Sequence, residues 1–428
     1  MNITELYRLY LQYPSVQTDT RQLKPNDLFF ALKGPNFNGN AFARQALEAG
    51  AAYAIIDEKE AYLDERTILV DDVLSTLQAL ALEHRKTFGI PFIAITGSNG
   101  KTTTKELLHS VLSSQFKTYT TKGNLNNHIG VPLTILSIGQ DAEMAIIEMG
   151  ANHQKEIESY CTIALPTHGL ITNCGKAHLE GFGGVEGIRK GKGELFDFLR
   201  SNGGIAFIMA DYDYLHDMSR GISTVITYGT QQADYVGNIA AVDPFLAVQF
   251  EKGFEGIIQT ALVGGYNLPN ALAAVAVGKT FGVADEKIKA AIEGYQPSNS
   301  RSQLVVKGSN KIIVDAYNAN PSSMKAAIEN FARTTHENKI LVLGAMAELG
   351  AESLDEHKAL VAQIGEHRWQ TVLLVGGDFG KIQHPYLQFA TAAEAGQWLQ
   401  QRNFSNAYYL IKGSRSMKME GVLQYINE

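Results

Sequence analysis

The segment Thr96-Gly97-Ser98-Asn99-Gly100-Lys101-Thr102-Thr103 carries the densest chemistry in the chain. Glycines let its backbone bend so that several N–H groups converge on phosphate oxygens, and the helix that follows adds the positive end of its dipole. Lys101 is placed to reach the outer phosphates, and the Thr102 hydroxyl to ligate Mg²⁺. The general phosphate-loop pattern has a glycine six residues before the lysine, where this chain has Ile95, so the loop is the shorter G-x-x-G-K-T form. Its context is the one the chemistry needs: a buried-strand run, PFIAIT (91–96), then the helical stretch TTTKELLHSVLSSQF. A nucleotide phosphate is the expected ligand.

Three further side chains stand where they could assist. Glu148 closes the run MAIIE and should project from the C-terminal end of a parallel strand, where ligands bind in open α/β sheets. A carboxylate there can hold Mg²⁺ between phosphates. His178 lies in TNCGKAHLE after another strand-like run, and Lys192 lies in RKGKGELF with Lys190 as a close rival. Taken alone, a loop histidine and two lysines in a charged stretch read as solvated surface groups.

The elements that must hold these residues read as α/β throughout. Strand-type runs occur at DLFFAL (27–32), AYAIID (52–57), MAIIEM (144–149), THGLIT (167–172) and GIAFIM (204–209), and again in KIIVDAY, KILVLGA and TVLLVGG. Helical stretches lie between them, among them AFARQALEAG ending at Gly50, Ser75 to Phe88, ALAAVAVGKTFG (271–282) and KIKAAIEGY (287–295). Such alternation predicts mostly parallel sheets covered on both faces. Gly89-Ile90-Pro91 and Pro297-Ser298-Asn299-Ser300 punctuate the chain. Three α/β domains are expected: 1–90, a central P-loop-type domain 91–297, and a Rossmann-like domain 298–428.

Composition narrows the class. A chain of 428 residues exceeds what one core sustains, and 45% hydrophobic with 19% charged residues is ordinary for a globular protein. With two cysteines, Cys161 and Cys174, a disulfide framework is excluded. The net charge of −7 argues against general nucleic-acid binding. No apolar run spans a bilayer and the start carries no signal pattern, so a cytoplasmic location without membrane insertion is expected.

ITGSNGKTTTKE resembles the ATP loop of the Mur ligases, which build the peptide of peptidoglycan one residue at a time, and the likeness runs from about residue 15 to LIKGSRSMKME. The resemblance implies ATP and Mg²⁺ as cofactors, with Gly97, Ser98, Asn99, Gly100, Lys101, Thr102 and Thr103 around the phosphates. It implies Glu148, Thr102 and His178 as metal residues, and a carbamylated Lys192 bridging toward the metal. GYNLPNALAA implies Asn267 and Asn270 near the adenine, although Tyr266 stands where the family usually has histidine. Arg301 in NSRSQLV and Asp315 in VDAYNANPSS are implied as contacts made by the third domain, Arg301 toward the γ-phosphate. The Thr18-Asp19-Thr20-Arg21 stretch implies a uridine-binding first domain using Thr20 and Arg21. Asn124 and Asn127, in NLNNHIGVP, are implied on the muramoyl side.

Among relatives, folylpolyglutamate synthetase is disfavoured because a whole domain precedes Gly97, and the D-N-P-R motif of the third-residue-adding ligase is absent. DAYNANPSSM and LGAMAELG instead resemble the dipeptide-adding branch. The implied partners are UDP-N-acetylmuramoyl-tripeptide and D-alanyl-D-alanine, acted on by a monomer. A nucleotide switch or transport ATPase is the reading from a different class; neither N-K-x-D nor L-S-G-G-Q occurs.

Overall fold

The computed structural model describes residues 2–298 and 300–427; Asn299 of the second punctuation segment lies outside them. The first sheet is small and parallel, in the order Val16–Gln17, Leu28–Phe30, Tyr53–Ile56, Thr67–Leu69. Its strand Leu28–Phe30 is covered on both faces, with Leu28, Phe29 and Phe30 all buried.

The central sheet has nine strands, in the order 256–263, 245–252, 235–241, 224–229, 205–209, 168–171, 92–96, 144–148, 118–120. Its phosphate-loop half is parallel, whereas the edge 235–263 is an antiparallel meander. That meander was not among the strand-type runs: its strands are only partly buried, and Gln249 and Gln259-Thr260 break their apolar stretches. The third sheet is six-stranded, with Gln303–Lys307 antiparallel at one edge and the parallel strands 310–315, 408–412, 339–344, 371–375 and 387–389 beside it. Among the described residues no helix is long and apolar enough to cross a membrane, and Cys161 and Cys174 are buried free thiols.

Two helices frame the phosphate loop. Lys101–Ser113 buries Leu107, Leu108, Val111 and Leu112, and packs on Leu268–Thr280, which is apolar nearly all round. Small residues allow that contact: a Cβ on Gly278 would come 2.6 Å from Val111 Cγ1.

The helices Ile3–Gln12 and Val73–Arg85 beside the first sheet are bolted to the central domain by buried polar groups. Tyr10 Oη donates to Leu136 O at 2.5 Å, and the His84 ring lies 2.8 Å from Ile138 O. The Arg85 guanidinium donates to Ala164 O (2.7 Å), Leu165 O (2.8 Å) and Phe88 O (2.8 Å), and stacks on the Phe92 ring. It thereby satisfies the carbonyls at the end of the helix Glu156–Ala164. Replacing Arg85 with Met should destabilise the chain by about 3 kcal/mol, roughly one per orphaned carbonyl. Urea unfolding measures this, and a loss well under about 1 kcal/mol would show that water takes over those carbonyls without cost.

Candidate active site

Strands 92–96, 144–148 and 168–171 lie side by side and parallel, so the loops leaving their C-terminal ends meet at one rim. The phosphate loop is one of them. Gly97 has φ +144° and a Cβ there would collide with Thr172 Oγ1; Gly100 has φ +82° with Asn270 Oδ1 2.6 Å from the same hypothetical atom. Only glycine fits either place. The loop is laced to its neighbour: Ser98 N donates to Asn173 O, Asn99 N to Asn173 Oδ1, and Thr172 Oγ1 to Asn99 O at 2.6 Å. The first N–H groups of the helix Lys101–Ser113 have no intrahelical acceptor, and they open on a cavity of about 890 Å³.

Ser98 to Thr103, Asn124, Asn127, Glu148, His178, Asn267, Asn270, Arg301 and Asp315 all line this cavity. Lys101 Nζ donates to Gly97 O (2.6 Å) and Ser98 O (3.3 Å). Burial lowers its pKa, and the Arg301 charge adds to that against the opposing pull of Glu148. Glu148 is 1% exposed. Its Oε1 accepts from Thr102 Oγ1 (3.2 Å) and Asn126 Nδ2 (2.7 Å), while Oε2 is buried without a protein partner. A buried carboxylate beside a threonine hydroxyl, with one oxygen left without a protein partner, fits a hard cation. Among the described residues no cluster of three His, Cys, Asp or Glu could cage a metal alone. That combination suits Mg²⁺, which takes one or two carboxylates and completes its shell from phosphates and water.

His178 caps a short helix at φ +53°, and its Nδ1 meets the Glu348 carboxylate of the third domain. That contact holds the Glu348 carboxyl below its usual range. A histidine whose one nitrogen is fixed by a carboxylate presents the other for a metal.

Lys192 does not line the cavity. It is 1% exposed, its Nζ has no hydrogen-bond partner, and it lies 5.1 Å from the Phe182 ring centroid. Burial first, then the Lys101 charge, pulls its pKa down to about 7. Lys190 is exposed, so geometry separates the two rivals.

Three of the expected sets have partners within the protein. Asn270 Nδ2 donates to Asn267 Oδ1, Asn270 Oδ1 accepts from Thr104, and Asn267 Nδ2 donates to Val263 O. Both amides are thus engaged in bracing the loop while they line the cavity. Thr20 and Arg21 lie away from the cavity on an exposed turn, where Arg21 forks onto Asp19 at 2.7–3.2 Å. Asp315 accepts from Lys412 Nζ at 2.6 Å, a buried lysine the motifs did not single out.

Other cavity residues carried no readable signal. Met209, Asp211, Tyr212 and Tyr214, from the segment 209–215, line the wall. Tyr317 lies under the Arg301 guanidinium at 3.5 Å. Asn320 Nδ2 reaches Asn99 Oδ1 at 2.7 Å across the domain gap, and Lys176 joins the same seam through Glu356 (2.5 Å) and Ser322 (2.9 Å). Asn126, between the expected Asn124 and Asn127, lines the wall as well.

Comparison with known proteins matches these three units in order. Residues 12–85 match the Mur ligase family catalytic domain, 95–278 the Mur ligase middle domain, and 300–415 the Mur ligase glutamate ligase domain. The UDP-N-acetylmuramoyl-tripeptide--D-alanyl-D-alanine ligase of Bacillus subtilis is 34% identical, covering 100% of this chain and 98% of its own. The enzyme of the same name from Escherichia coli is also 34% identical, over 99% and 96%. Among solved structures, MurF from Acinetobacter baumannii superposes with a TM-score of 0.87 at 31% identity, covering 96% of this chain and 92% of that one. MurF ligase from Thermotoga maritima, solved with ADP, gives 0.87 at 28% over 97% of each. A folylpolyglutamate synthase of Mycobacterium tuberculosis shares the fold alone, at 14% identity and a TM-score of 0.65. With all three domains matched and its nearly full-length relatives above 30% identity, the chain belongs to the Mur ligase family.

Proposed function

We propose that this protein is the ATP-dependent ligase that joins D-alanyl-D-alanine to UDP-N-acetylmuramoyl-tripeptide, working as a cytoplasmic monomer. The reading rests on one convergence: Lys101, Glu148 and Arg301, from three separate elements, face one cavity beside a phosphate loop. The substrates follow from the relatives' names.

The chemistry divides among the chain's own groups. The helix start at Lys101 and the Lys101 ammonium receive the β- and γ-phosphates. Thr102 and Glu148, with His178 on the same cavity wall, would hold Mg²⁺, which when bound would offset phosphate charge. The tripeptide carboxylate attacks the γ-phosphorus and ADP leaves, giving an acyl phosphate. Arg301, held flat on Tyr317, faces the transferring phosphoryl group and stabilises its charge. The dipeptide amine then attacks the acyl carbon, phosphate leaves, and the amide forms. Water would consume the acyl phosphate, and the seam of Asn99–Asn320, Lys176–Glu356 and His178–Glu348 contacts supports closure of the third domain over it.

Lys192 fits the same reading as a carbamate. Its neutral amine would add to the carbon of CO₂ and lose a proton, turning a buried cation into an anion near the metal. An ordinary lysine, near 10.4, has almost no neutral amine at neutral pH; one at about 7 is half neutral. The lowered pKa therefore makes capture rise as pH climbs through about 7, and fail below it.

Phosphate release from ATP should require both the tripeptide nucleotide and D-alanyl-D-alanine. Steady release with ATP alone would point to a switch or transport ATPase and end the ligase reading. Glu148→Gln should keep the fold and lower kcat by at least about a hundredfold while raising the Mg²⁺ requirement. A near-normal rate at low Mg²⁺ would move the metal elsewhere. With ¹³C-bicarbonate, a carbamate resonance should grow between about pH 6 and 8, vanish in Lys192→Ala and persist in Lys190→Ala. Its absence at every pH would leave Lys192 a plain buried amine.

A further inference from the structure

Lys105 lies one turn beyond Lys101 in the phosphate-loop helix and points away from the cavity, into the protein, where it is 1% exposed. A cation is kept in such a place only with partners. Its Nζ donates to Thr121 O at 2.6 Å and meets Glu106 Oε1 at 2.7 Å.

Thr121 is the first residue of a short connection to the cavity wall, and it is fully buried. Its hydroxyl accepts from Glu148 N at 3.0 Å, and its own N–H donates to Ile146 O at 3.1 Å. The chain then runs to Asn126, whose side-chain amide donates to Glu148 Oε1 (2.7 Å) and whose carbonyl accepts from Gly150 N (2.7 Å). Glu148 is thus gripped at its backbone by one end of segment 121–126 and at its carboxylate by the other. Lys105 anchors the end at Thr121.

We propose that Lys105 is a positioning residue for the metal: by pinning the Thr121 carbonyl it sets where the Glu148 carboxylate stands relative to Thr102. This rests on the nucleotide–Mg²⁺ reading of the cavity. The physical reason is stiffness. Mg²⁺ demands near-octahedral geometry at about 2.0–2.1 Å, so a carboxylate that drifts by a few tenths of an ångström loses most of its value. A charge-assisted bond from an ammonium is shorter and stronger than a neutral one, which suits a tether that must not slacken. The phosphate-loop helix then orders two things at once, the phosphates at its first turn and the metal's carboxylate from its second.

The test uses the whole chain, with ADP as probe and affinity measured by calorimetry with and without Mg²⁺. Lys105→Met keeps the length of the stem and removes the donor. It should leave metal-free ADP binding unchanged and shrink the Mg²⁺ enhancement by about tenfold, the scale on which outer-shell partners of a metal act. Thr121→Val, which removes the acceptor for Glu148 N, should shift the enhancement in the same direction. The double variant should be no worse than the worse single, because the two act in series. An unaltered Mg²⁺ enhancement in either folded single variant, whatever its melting temperature, would reduce Lys105 to a support of the fold and overturn the proposal. If the parent chain bound ADP without any Mg²⁺ dependence, the nucleotide–metal reading itself would fall.

Discussion

A carboxylate buried at the end of a parallel strand is the constraint around which this molecule is arranged. Glu148 has one oxygen bonded to Thr102 and Asn126 and the other without a protein partner. A charge in that setting is expensive unless a cation meets it. Much of the surrounding architecture holds that carboxylate still: strand 144–148 supplies its backbone, segment 121–126 braces it from both sides, and the phosphate-loop helix sets the Thr102 hydroxyl against it. A glycine-rich turn beside such a group becomes a place for phosphate and metal together.

The domains divide the work by the kind of contact they make. The first domain is joined to the second by buried groups that leave little freedom, with Tyr10, His84 and Arg85 each bonded to a central-domain carbonyl. The third domain meets the central domain through small and charged polar side chains: Asn320 on Asn99 of the phosphate loop, and Ser322, Glu348 and Glu356 on Lys176 and His178. Such contacts are exchanged with water at low net cost, so this seam is suited to opening and closing while the other is suited to staying shut.

Burial changes the charge that Lys192 carries most easily. The ordinary lysine would repel a metal site. Buried beside the Phe182 ring and near the Lys101 charge, it loses its proton far more readily. The same burial that makes the ammonium unfavourable favours the neutral amine.

Local pattern was enough for the fold class and for the phosphate loop. Strand–glycine turn–helix is written in consecutive residues, since glycine's freedom, the helix start and the lysine all act within one turn. Glu148 was legible for the same reason, as the last residue of an apolar run. The antiparallel meander at 235–263 was not, because half-exposed strands lack continuous apolar runs. Residues joined only by folding stayed hidden as well. Asn99 and Asn320 are 221 positions apart, His178 finds Glu348 in another domain, and Lys412 reaches Asp315 across 97 positions. The difference between Lys190 and Lys192 is likewise one of burial, set by which face of the helix Val185–Ser201 packs inward. The sequence by itself determined which groups could bind phosphate; the tertiary structure decided which charges were buried, what each then faced, and so which of them became chemical.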